Sequence, residues 1–530
     1  MKKKNLLFYI CNYIFSFIFS CVLILMKNIS FKENEIPINF IKKFNFNLKF
    51  FITAIIISIL IFLITYFIVF ILSKIHIKEE ENTKVKKICI ITFLGIFITG
   101  ILFLITYYPG NSMIDTFFIL NSPIYISNQH PILYNLLIYV PFVLFNKITN
   151  NINLSYFLLS IVQLITIDVI ITFIIGWFYK TFKNKKLTIL LMLYFILVPI
   201  ITNYNTTIVK DSVFAVILML YIPIIYSLIS SKGKWIENKL NTSLFALLLI
   251  LTSLIRNNGI FIVVALFITL ILVYKTNWKK WILLLLITIL ISSSTKLIPV
   301  GGSNLFQEKV GIPLQQLGYI LYTDKDLNKE TKNYLNNLMP LDEYKSKYTP
   351  YFVDNIKWNN NFNRIYLDKN SSKFIKIWFK ELPNNFEDYV KSYILITYGT
   401  WAPDKMINSQ SRFLGLGEIP EATKNTFIGL ENKKLLPNKI QSSLESFYEK
   451  TTTFFNSGSC IWMLILFSLL IVYTKKYILL ILTIPLYTVW ITLMIASPLS
   501  TAFRYMVPFA YSLPIILGII FTYNKKTSQK

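Results

Sequence analysis

The chain has 530 residues, 55% of them hydrophobic and only 15% charged, which excludes an ordinary soluble domain. Its formal net charge of +27 invites a nucleic-acid reading, but the location of that charge argues against one: the long polar stretch 299–455 holds 20 Lys/Arg against 17 Asp/Glu, and the excess sits mostly in short segments beside apolar runs. The four cysteines, Cys11, Cys21, Cys89 and Cys460, lie in or at the edges of those runs and offer neither a disulfide framework nor a metal-type spacing.

Repeated apolar runs of about 20 residues have the length that crosses a bilayer. They fall at 5–26, 50–73, 88–107, 153–178, 187–202, 212–229, 241–255, 258–274, 281–298, 456–473, 477–496 and 505–523. The first follows MKKK but lacks a small-residue cleavage site, so it reads as a retained helix. Residues 131–146 form a further apolar run, short and interrupted by Pro141. Counting that run as a crossing would put YKTFKNKK (179–186) outside. Leaving it uncrossed places this stretch and SSKGKWIENK (230–239), KTNWKK (275–280), TKK (474–476) and the tail on the cytoplasmic side, as the positive-inside bias requires. The expectation is therefore an all-α polytopic membrane protein of about twelve crossings with both termini cytoplasmic, and 131–146 as a helix lying at the outer interface. The basic loop 27–49 sits against this bias. The chain divides into N-terminal membrane helices (1–87), a membrane core (88–298), a mainly helical extracytoplasmic domain (299–455, with helices at 325–338 and 370–392) and C-terminal membrane helices (456–530).

Residues 108–146 contain no Lys or Arg, one acid (Asp115) and one histidine (His130). A carboxylate alone in a charge-depleted outer loop is a candidate general base, able to take the proton of a hydroxyl as that hydroxyl attacks. Asp115 would serve equally as the N-cap of a helix starting at Thr116. Other outer loops carry Lys210–Asp211, Arg256–Asn257 and Arg504–Tyr505, and Lys296 stands near the end of the ninth run. Cations that break the positive-inside bias suit an anionic ligand such as a phosphate at headgroup level, or else pair with lipid headgroups. Asp211 is a second candidate acid or the cap of helix 212–229. His130 precedes Pro131 at a helix start and could line the same cavity as Asp115. Asp168, in mid-span, suggests either a transport function or a hydrogen bond that holds two helices together. One histidine and two acids make no recognisable metal site.

YPGNSMIDTF followed by NQHPILYNLL resembles the first external loop of GT-C-fold glycosyltransferases, the superfamily of protein O-mannosyltransferases and lipid A aminoarabinose transferases. IVKDSVF resembles their second acidic loop, SLIRNNGIF an Arg-x-x-Gly element, and SPLSTAFRYMVPF a late Arg-Tyr element. KVGIPLQQLGYI and YTPYFVDNIKW resemble a bacterial subgroup. The resemblance covers 88–298 and the C-terminal runs. It implies a GT-C-like bundle with interfacial helices in the first external loop, working at the extracytoplasmic face of the cell membrane. It also implies inverting transfer of a sugar from a polyprenyl-phosphate donor to a cell-envelope glycan, lipid or protein. Asp115 and Asp211 would then be the catalytic acids, while His130, Lys210, Arg256, Asn257, Arg504 and Tyr505 would bind substrate. The first loop departs from the pattern by carrying a lone acid where many members carry a pair, so a divalent metal cofactor is left open. The stretch 299–455 matches neither enzyme named. The alternatives are a polymerase or ligase using a diphosphate-linked donor, and a lipid or solute transporter, for which internal repeats are missing.

Overall fold

The computed structural model describes residues 5–29, 37–75, 84–122, 130–295, 306–404, 414–452, 456–496, 499–500 and 502–523; Lys296 lies outside these. Helices occupy the described part of every apolar run named above, and among the described residues no β-strand forms. In a bilayer core each backbone N–H and C=O must be satisfied within its own segment, and a continuous apolar run can do that only as a helix. This is an all-α, multi-pass membrane protein. Among the described residues, eight helices are long and apolar enough to cross a membrane, or up to ten if each of two bent pairs counts as one span.

In chain order, α1 (Leu6–Asn28) and α3 (Leu48–Ser73) flank the short α2 (Ile38–Lys43). α1 and α3 join through small polar residues, with Ser20 Oγ donating to the Ala54 carbonyl at 2.8 Å and Asn12 Nδ2 to that of Phe62 at 3.1 Å. α4 (Val85–Thr106) packs on α7 (Ile152–Phe182) where Gly100 meets Leu164 and Gly176 meets Cys89. Between them lie α5 (Ile114–Asn121) and α6 (Ile132–Thr149). α6 is the 131–146 run; it carries Pro141 in its interior and is one of the eight by length and composition. α8 (Lys185–Leu197) and α9 (Pro199–Thr206) form one bent pair, broken by 60° at Val198–Pro199. α10 (Lys210–Ser230) follows, then α11 (Lys239–Ile255), α12 (Gly259–Val273) and α13 (Trp278–Ser294), the last two related by a 116° bend.

The polar stretch builds α14 (Gly311–Tyr322), α15 (Lys329–Leu338), α16 (Leu341–Lys347), α17 (Asp354–Lys357), α18 (Arg364–Lys369), α19 (Ser371–Glu381) and α20 (Phe386–Thr397), then α21 (Asn438–Thr452). Its two parts pack on different partners. Leu314, Tyr319, Tyr344, Tyr389 and Tyr398 share an apolar core with Val22, Leu25, Phe40, Phe44 and Phe50 from the N-terminal helices. Leu416, Phe427 and Leu430 join the main membrane core instead. Phe427 sits against Phe117 of α5 and Phe142 of α6.

α22 (Ser457–Tyr473), α23 (Ile484–Ala496) and α24 (Val507–Thr522) complete the chain. α10 and α24 are the most enclosed spans and pack on each other at the centre. Their neighbouring ends carry Lys210–Asp211 and Arg504–Tyr505.

Asp168 is buried in α7. Its Oδ1 accepts from Thr172 Oγ1 at 3.2 Å on the same helix, so this bond does not join two helices. Gln163, one turn earlier, does make such a link, donating to the Thr207 carbonyl beyond α9.

Candidate functional site

The site begins with the turn after α4. Gly110 has φ +142°, a conformation open to glycine, and any side chain there would collide with Ser160 of α7. The close approach buries Asn111. Its Nδ2 donates to Asn203 Oδ1 of α9 at 2.7 Å, while its Oδ1 accepts from the Gly415 backbone N–H at 2.6 Å. Ser112 bridges Ile208 in parallel register, and Thr116 Oγ1 donates to the Ile208 carbonyl at 2.6 Å. These bonds fasten the start of α5 to the residues that precede α10. Asp115 is thereby held beside Lys210 and Asp211, residues about a hundred positions later in the sequence.

Neither carboxylate is a helix cap. The N-cap of α5 is Met113 and that of α10 is Val209, and each Asp lies in the first turn beyond. Both are paired with arginine. Asp115 Oδ2 accepts from Arg504 Nη1 at 3.2 Å, and Asp211 forms a buried ion pair with Arg256. The two pairs differ in access. In the first, 35% of the Asp115 side chain and 19% of the Arg504 side chain remain exposed; in the second the figures are 0% for Asp211 and 9% for Arg256.

Tyr505 stands next to both. Its ring centroid lies 5.0 Å from the Arg256 guanidinium and 4.7 Å from that of Arg504, and its hydroxyl accepts from Arg504 Nη2 at 2.6 Å. Phe214 lies 5.5 Å from the Arg256 guanidinium. Met113 Sδ accepts from Arg504 Nη1 at 3.2 Å. Arg256 owes its position to the turn between α11 and α12, where a side chain on Gly259 would strike the Thr252 carbonyl. Asn257 stands exposed on this turn, and Asn258 Nδ2 donates to Thr492 Oγ1 at 3.1 Å.

Lys210 Nζ lies 2.8 Å from His130 Nδ1. An ammonium can only donate, so Nδ1 is the acceptor and the imidazole proton is on Nε2. Burial, then the Lys210 charge, push the His130 imidazole down to about 3. For Asp115, burial works to raise the carboxyl; Arg504 foremost, with Lys210 among the other charges, outweighs it and holds the group well below the usual carboxylate range.

Both shifts make the folded state bind fewer protons than the unfolded chain. The His130 contribution weakens the fold as pH falls from 6.5 towards 3, and the Asp115 contribution is lost below about 4. The expected result is that His130 does not titrate between pH 5 and 8. NMR of histidine-labelled protein, with His130→Gln to assign the signal, checks this, and an inflection near 6.5 would remove the Lys210–His130 contact.

Three cations and two carboxylates, with a neutral imidazole, leave one net positive charge. Among the described residues no group of three or more His, Cys, Asp or Glu stands together. With each carboxylate bound to an arginine, the donor set does not suit a divalent metal.

The arrangement thus brings together Asp115, His130, Lys210, Asp211, Arg256, Arg504 and Tyr505, with Asn257 at the rim. Sequence reasoning did not single out Met113, Phe214 or the buried tyrosines Tyr134 and Tyr204, and in a chain with 32 tyrosines nothing marks those two. A family model, described as a family of unknown function (DUF6020), matches residues 108–530, most of the chain. The chain belongs to the DUF6020 family. The DUF6020 span opens at Tyr108, in the turn that leads to Asp115, and includes every residue of the site. No curated protein and no solved structure matches the chain.

Proposed function

We propose that this DUF6020 protein is a GT-C-type membrane glycosyltransferase. It moves a sugar from a polyprenyl-phosphate donor to a cell-envelope glycan, lipid or protein on the extracytoplasmic face. The chain crosses the membrane about twelve times with both termini cytoplasmic. The observation that supports the reading best is the half-open Asp115–Arg504 pair with Lys210 and His130 beside it, at the ends of apolar helices.

In the transfer, the acceptor hydroxyl attacks the anomeric carbon and its proton passes to Asp115. The bond from the anomeric carbon to the phosphate oxygen breaks, and polyprenyl phosphate departs as an anion stabilised by Arg504 and Lys210. A carboxylate bound to a guanidinium is a weak base. The donor phosphate therefore has a second effect: it takes Arg504 for itself and releases Asp115 to accept the proton. Arg256 stays with Asp211 in the buried ion pair. His130 offers its Nε2–H to the ligand.

The experiment that tests the reading compares envelope glycans of cells with and without the gene. Loss of one sugar substituent, restored by the intact gene, is expected; unchanged glycans would overturn it.

A further inference from the structure

Next to the two ion pairs, several buried polar atoms have no partner. They are Asp211 Oδ2, the hydroxyls of Tyr134, Tyr204 and Ser212, and Arg504 Nε. Asp211 and Ser212 are 0% exposed, Tyr134 1% and Tyr204 2%. The ring of Tyr204 packs on that of Phe503, the neighbour of Arg504. Tyr134 lies in the field of both Asp211 and Asp115, and Tyr204 in that of Asp211 and Arg504. Ser212 follows Asp211 in the first turn of α10.

A buried polar group without a partner costs about 1–3 kcal/mol, and folded proteins leave few of them. Several beside one ion pair indicate a place meant to be filled. The atom types restrict the occupant. Asp211 Oδ2 only accepts, Arg504 Nε only donates, and the three hydroxyls do both. An apolar group would satisfy none of them. A phosphate would be repelled by Asp211. A polyol meets all of them, since each of its hydroxyls gives one hydrogen bond and takes another. The Phe503 ring, 6.0 Å from that of Tyr204, supplies an apolar wall.

We propose that Asp211, Tyr134 and Tyr204 form a hydroxyl-reading subsite for the sugar ring of the transferred group, which rests on the glycosyltransferase reading. The subsite is closed in this structure. Asp115 and Arg504, the partly open residues, border it, so their separation admits the sugar. The subsite decides which sugar is accepted, because an analogue lacking a hydroxyl leaves a buried group unpaired.

The test uses the full-length protein in nanodiscs and a panel of methyl hexopyranosides, with binding read by saturation-transfer NMR. At least one hexoside is expected to bind the wild type. Tyr134→Phe and Tyr204→Phe should each weaken that binding about tenfold. The deoxy analogue that lacks the matching hydroxyl should bind wild type and variant alike. Because the two hydroxyls have no protein partner, both variants should keep the wild-type thermal midpoint or exceed it. Binding by no hexoside, equal binding by the variants, or a lowered midpoint would each overturn the subsite; equal binding would mean that only water occupies it. A separate arm uses farnesyl phosphate on wild type and Arg504→Ala. Failure of farnesyl phosphate to bind would remove the lipid-phosphate reading while hexoside binding still upholds the subsite. Binding of farnesyl phosphate with no hexoside effect would do the reverse.

Discussion

Asp115→Asn is expected to lower the turnover of sugar transfer by roughly 10²- to 10⁴-fold, the usual contribution of a general base. The fold should survive it. Asp115 caps no helix, and α5 is anchored through Thr116 to Ile208. The ion pair lost with the charge is partly open to water, with 35% of the Asp115 side chain exposed. The asparagine would also cease to compete for Arg504, so the donor should bind at least as tightly as before. The signature is a collapsed kcat with an unchanged or lowered KM, which a merely structural role would not produce. Steady-state kinetics in reconstituted membranes would decide it. A variant with wild-type kcat would leave Asp115 with no catalytic role.

Arg256→Ala should cost stability rather than chemistry. It leaves Asp211 fully buried with no cation, a change that typically destabilises by about 3–5 kcal/mol. Arg504→Ala removes the partner of a carboxylate that water can still reach, so the loss there should be several-fold smaller. Removing both members of the buried pair, as Arg256→Ala with Asp211→Ala, should recover most of the lost stability, because no uncompensated charge remains. Thermal unfolding of the four proteins in one lipid composition reads the order directly. If Arg256→Ala unfolded no earlier than Arg504→Ala, the buried pair would add no more to stability than the partly open one.

The helices were legible because lipid leaves the backbone little choice. Runs such as 50–73 and 88–107 become α3 and α4 within a few residues of their expected ends. The candidate site was legible for a related reason. A charge at the end of an apolar helix is costly, so Asp115, Lys210, Arg256 and Arg504 stand out one by one, though they are scattered through the chain.

The pairing of these charges was not legible. Composition can show that three cations and two acids share one face; which guanidinium meets which carboxylate depends on the turn at Gly110 and on the Ser112–Ile208 bridge. The division of 299–455 was hidden for a similar reason. The contact that draws Gly415 onto Asn111 joins residues some three hundred positions apart, and no local pattern announces it. Tyr134 and Tyr204 escaped notice because a buried tyrosine in an apolar chain looks like core until its hydroxyl is found without a partner.

The core shared by α14 to α20 and the N-terminal helices carries one more consequence. Val22, Leu25, Phe40, Phe44 and Phe50 roof over apolar side chains from α14 to α20, yet all five lie upstream of Tyr108, where the family's common sequence starts. The family match and the packed core therefore have different boundaries in this molecule. A fragment trimmed to residues 108–530 would strip the cover from the apolar side chains of α14 to α20, so the opening segment belongs to the core of the family-matched part.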